Sequence, residues 1–169
     1  MFSDWSEFYL LAGSAAAVLI GLIFVVVTLM QDRSRSSVMA GSKLYMGPVV
    51  LQVSFVLALS GAALIPDVRP GAMSIVTGVV AIWGFYRGVQ SIVGINALKG
   101  EDKPHWTDVW FYGVIPTALS IALALIAFGF ESGADWAVNG VAAAIMIILL
   151  LAIRNEWDLV TWLAPRPDK

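Results

Sequence analysis

Residues 8–30 read FYLLAGSAAAVLIGLIFVVVTLM, and the polar break QDRSR follows at 31–35. No charge interrupts Phe8–Met30, and the run exceeds the about 20 apolar residues that a helix needs to cross a bilayer core of roughly 30 Å. A strand in a lipid-facing barrel would alternate apolar and polar residues, whereas this run is continuous. Four further runs share its character: Pro48–Ile65, Met73–Ile95, Val109–Phe130 and Trp136–Ile153. The second and fifth lie near the lower limit of about 17 residues. With 59% hydrophobic residues and a mean hydropathy of +0.84, the chain is too apolar for a soluble domain, where about half the residues are apolar. The fold expected is an all-α integral membrane protein, with residues 1–169 forming one domain of five transmembrane helices.

Lys and Arg in short loops set orientation. Arg33, Arg35 and Lys43 follow the first run, Lys99 and Lys103 the third, and Arg154, Arg166 and Lys169 the fifth. The other side holds Arg69 alone, and Arg87 sits inside a run. Eight basic residues against one place the N-terminus outside and the C-terminus in the cytoplasm. Trp5 and Trp136 then mark the outer interface, and Trp106, Trp110, Trp157 and Trp162 the inner one. The first run does not read as a cleavable signal, because Asp4 and Glu7 precede it where such a signal is basic.

The breaks are well punctuated. Gln31–Met46 is a serine-rich polar loop, Pro66–Gly71 a tight outer turn, and Glu131-Ser132-Gly133 the last outer turn. Thr107 is a candidate N-cap for the fourth helix. The fifth is expected to continue past the bilayer as an interfacial extension over residues 154–163, with Arg154, Asp158 and Thr161 on one face and Trp157, Val160 and Ala164 on another.

Two groups of residues carry candidate function. Gly13, Ala17 and Gly21 on the first helix, and Gly84 and Gly88 on the third, recur at four-residue spacing, which lets helix backbones approach closely in lipid. They serve as a subunit face or as packing within one bundle, and the glycines make the third helix look central. Arg87 lies near the middle of its run, where a charge costs about 2.5–3.5 kcal/mol to insert. Gln52, Gln90, Asp108 and Asp158 are the polar residues expected near its level, with Glu156 a further carboxylate. The cluster reads as an anion, headgroup or pore site, or as a structural ion pair.

Pro116 leaves the carbonyl of Tyr112 without its helical donor, so a kink is expected there. Cysteine is absent and His105 is the sole histidine, so no metal site, cofactor site or thiol chemistry is expected. No catalytic constellation, phosphate loop or basic run for nucleic acid appears, and a non-enzymatic protein is the reading.

The segment from Phe8 through Val25, the stretch His105-Trp106-Thr107-Asp108 with Phe111, Tyr112 and Pro116, and the closing Ile153–Trp162 together resemble a group of small uncharacterised bacterial inner-membrane proteins. Some members carry a label as modulators of a membrane-bound protease, although the seven-span modulators are longer than this chain. The resemblance implies bacterial origin and inner-membrane location, and no activity. Two functions are expected in turn. The first is an accessory or scaffold protein in contact with membrane lipids and other membrane proteins. The alternative is a homo-oligomeric channel or small-solute or anion pathway involving Arg87.

Overall fold

The computed structural model describes residues 2–29, 45–97 and 105–163, and these are all helical apart from their turns. Five helices follow one another: α1 Ser6–Leu29, α2 Gly47–Ala63, α3 Pro70–Ala97, α4 Trp106–Glu131 and α5 Trp136–Leu163. All but α2 are long and apolar enough to cross a membrane. At 17 residues, α2 is about 25 Å long by the ~1.5 Å rise per residue, a little under the ~30 Å core. The loop expected over Gln31–Met46 lies outside the described residues up to position 44, as do Lys99, Lys103, Ala164, Arg166 and Lys169.

The helix ends differ from expectation for local reasons. Pro70 does not hold off the third helix but opens it, because the first helical position has no use for the missing N–H. α4 is capped by His105, not Thr107: His105 Nδ1 accepts from Thr107 N at 3.4 Å and lies 2.9 Å from Thr107 Oγ1. After α4, Gly133 takes φ +71 and closes a Schellman turn. Ala134 N donates to Gly129 O at 2.9 Å and Gly133 N to Phe130 O at 3.2 Å.

Successive helices run antiparallel. At one end the Phe2 ring meets Tyr9 and Phe130, with centroids 5.4 and 5.9 Å away, and Gly129 abuts Trp136. At the other, Tyr45 before α2 meets Tyr112 of α4, whose hydroxyl reaches α5. The helices close a ring in chain order, and α2 also touches α5 across the middle. Both carry buried stripes at helical spacing: Val49, Val53, Val56 and Leu59 on α2, and Val141, Ile145, Ile148 and Ala152 on α5. Half of the α5 span is buried against a third of α3, so α5 and not α3 is central. α3 turns Ile75, Val79, Ile82 and Trp83 outward, as suits a lipid-facing wall.

The tightest seam joins α3 to α4. A Cβ on Gly84 would lie 2.5 Å from Ser120 Oγ, and one on Gly88 would strike Thr117 Oγ1 and sit 3.2 Å from Thr117 N. Gly13 faces Ser60 of α2 at 3.3 Å, whereas Gly21 meets nothing within 4 Å and Ala17 is exposed. The first-helix stripe therefore splits: Gly13 packs inside the bundle, and Ala17 and Gly21 look out. Gly88→Leu is expected to destabilise the bundle by about 1–3 kcal/mol through overpacking. Gly21→Leu should leave stability within error, as read by thermal melting in one detergent.

Candidate functional site

The polar residues gather in two places that Tyr112 connects. The first lies where α4 begins and α5 ends, and is built on a backbone irregularity. Trp110–Val114 is a π-helical turn, in which Ile115 N donates to Trp110 O, five residues back. One residue further in that register, the donor to Phe111 O would be the N–H of residue 116, and Pro116 has none. Asn155, wholly buried on α5, supplies the donor instead: its Nδ2 lies 3.2 Å from Phe111 O. The carbonyl that Pro116 strands is thus Phe111, one residue before the Tyr112 carbonyl expected from an ideal α-helix. Thr117 Oγ1 and Ser120 Oγ donate to Gly113 O and Pro116 O at 2.7 and 2.8 Å, a back-bonding pattern that bends helices.

Around that bond the side chains interlock. Tyr112 Oη lies 3.1 Å from Asn155 O and 3.2 Å from Asp158 Oδ2, so one proton serves two acceptors. Arg154 donates from Nη1 to Asn155 Oδ1 at 3.0 Å, stands 3.9 Å from Asp158 Oδ2, and places Cζ 3.7 Å from the centre of the Phe111 ring. The part-exposed ion pair adds little, and the stacked guanidinium adds about 0.5–1 kcal/mol. Tyr45 stacks edge-on against Tyr112 at 5.1 Å and donates to Asp108 Oδ2 at 3.5 Å, the outer limit of a hydrogen bond. Burial pushes the Tyr45 phenol up to about 12, helped by the Asp108 charge, their hydrogen bond and the Asp158 charge. Glu156 is buried here too, with no partner for either oxygen among the described residues.

The second place is a cleft enclosed by α2, α3, α4 and α5, with a free volume of about 30 Å³. Gln52, Phe55, Gly84, Arg87, Tyr112 and Ser120 line it. Arg87 is half-buried, and its Nη1 donates to Gln90 Oε1 at 3.1 Å while Gln90 Nε2 donates to Tyr86 Oη at 2.7 Å. Gln52 is 6% exposed and neither of its amide atoms has a partner among the described residues.

The cluster expected around Arg87 is therefore only partly assembled. Arg87 and Gln52 share the cleft, and Gln90 joins Arg87 from the exposed face of α3. Asp108 and Asp158 belong to the network around Tyr112, and neither they nor Glu156 pairs with Arg87. Among the described residues no three His, Asp or Glu side chains are grouped to hold a metal ion. Asn155, Tyr45 and Phe111 are the residues that sequence reasoning passed over. The sign available was Pro116 itself, since a proline inside a span demands a side-chain donor from a neighbouring helix.

Comparison of the chain with protein-family models, curated proteins and solved structures finds no match.

A phenol held above its unfolded value of about 10 contributes stability that is complete below pH 10 and is lost as pH rises through about 12. Tyr45→Phe is expected to flatten part of that fall, measured as the difference in melting temperature between pH 9 and 12. An identical decline in both proteins would remove Tyr45 from the network.

Proposed function

We propose that this chain is a non-enzymatic accessory or scaffold protein of a bacterial inner membrane. It crosses five times, with the N-terminus outside and the C-terminus in the cytoplasm, and works through helix contacts with membrane partners. The loop charges support the orientation, since eight basic residues fall on one side and one on the other. α2 at 17 residues serves as the fifth crossing by drawing the bilayer thinner beside it. The resemblance of the closing motif to small bacterial inner-membrane proteins supports the location.

One observation carries the scaffold reading. The last turns of α5 form a rigid extension clamped to α4 through Asn155 and Asp158, while Trp157 remains 70% exposed and Val160 is exposed beside it. A large aromatic on a preformed helix is an efficient contact residue. The outward Ala17 and Gly21 of α1 offer a second close-approach face. A second reading, a homo-oligomeric pathway for small solutes or anions along Arg87, draws on the half-buried guanidinium at the cleft. It requires several copies, because about 30 Å³ in one chain holds a water or two and no conduit.

Deleting residues 154–169 would remove Asn155 and disturb α4, so point substitution is the sounder test. Trp157→Ala is expected to lower recovery of membrane partners in mild-detergent pull-downs by about tenfold, the scale of a truncated aromatic anchor. Helix content and expression should not change. Undiminished recovery would contradict the role assigned to the extension.

A further inference from the structure

Arg87 is a charge that the packing leaves without a carboxylate among the described residues. The ion pair among the described residues joins Arg154 to Asp158, and the acceptor Arg87 finds is the neutral amide of Gln90. That bond draws the guanidinium toward the C-terminal end of α3, against the usual tilt of helical side chains toward the N-terminus. Gln52 of α2 lines the same cleft, more than nine-tenths buried, with both amide atoms unpartnered among the described residues. A buried amide without partners is costly, and native interiors rarely retain one unless something binds there. No acid among the described residues lines the cleft. Two donor side chains, one of them fully charged, held on separate helices with no carboxylate between them, suit an oxyanion.

We propose that this cleft seats a single phosphate group. The guanidinium edge of Arg87 donates to two phosphate oxygens at the open side. Gln52 Nε2, sealed from solvent in this structure, donates to one of the same oxygens across a water once its amide turns toward the cleft. Gln52 Oε1 accepts from that water.

The same chemistry is offered by the headgroup of an anionic lipid and by inorganic phosphate. Depth favours the lipid. Arg87 lies ten residues before Ala97, so about 15 Å from the inner end of α3 and ~9 Å below the core boundary once a ~42 Å helix is centred in a ~30 Å core. Its long side chain covers most of that distance. α2, which carries Gln52, is short enough to draw the headgroup level inward beside the cleft. The inference goes beyond the scaffold reading and stands or falls without it.

Native mass spectrometry of the full chain released from phosphatidylcholine nanodiscs containing phosphatidylglycerol provides the test. In a second arm, inorganic phosphate is titrated onto the delipidated chain and melting is followed. The wild type is expected to retain one phosphatidylglycerol per chain in preference to phosphatidylcholine, whose choline already balances its phosphate. Arg87→Gln should weaken that retention about tenfold and Gln52→Leu several-fold. Arg87→Lys should fall between, keeping the charge and losing the fork. Retention in the lipid arm assigns the phosphate to a headgroup, and stabilisation by inorganic phosphate that Arg87→Gln abolishes assigns it to the free ion. Circular dichroism identifies variants that fold, and if Arg87→Gln does not, Gln52→Leu and Arg87→Lys decide. Equal binding in both arms by wild type and the folded variants would overturn the proposal. So would self-association, rather than lipid or phosphate binding, that depends on Arg87.

Discussion

A backbone carbonyl without a donor inside a bilayer has no water to turn to, and Pro116 creates one in the middle of α4. The consequences run through that half of the bundle. The chain widens into a π turn at Trp110–Val114, which hands the missing bond from Tyr112 to Phe111, and Asn155 of α5 donates to Phe111 O from 44 residues away. Because Asn155 must be buried to do so, α5 is held against α4 beyond its apolar stretch. Tyr112, Arg154 and Asp158 then find their partners on the same short segment. The helical extension of α5 is thus a product of a proline one helix away.

The seam between α3 and α4 sets the geometry of the cleft. Gly84 and Gly88 let α4 approach where any side chain would collide with Ser120 or Thr117. Both hydroxyls are turned back onto their own helix, so they line the seam without asking for partners. α3 makes much its largest contact with α4 and a lesser one with α2. Arg87, one residue before Gly88, is carried to the edge of that seam and lines a cleft together with Gln52. The close seam of α3 with α4 and the cleft that opens beside it share the same pair of glycines.

Much of the fold is legible in the sequence because continuous apolar runs in a membrane protein leave few alternatives to helices. The ends were less so: Pro70 reads as a breaker until it is seen at a first helical position, and His105 is not an obvious cap. The site was harder. Spacing shows which residues share a face of one helix and does not show which helix lies opposite, so Asp108 and Asp158 looked available to Arg87 and are engaged elsewhere. The Gly13–Ala17–Gly21 stripe spans more than one neighbour, which is why only its first member is packed. Asn155 was overlooked because it follows the last apolar residue, where polar side chains are expected in solvent. Its burial is dictated by a carbonyl in another helix, a demand written at Pro116 and not at Asn155.

The central claim, that Asn155 is held by the carbonyl Pro116 strands, is tested most directly by a double-mutant cycle on thermodynamic stability. Pro116→Ala restores an N–H at the position where the helix lacks one. If the account is right, Asn155→Leu costs about 1–3 kcal/mol in the wild type, as expected for a buried acceptor left unpaired, and substantially less in the Pro116→Ala background. Equal costs in the two backgrounds would contradict it.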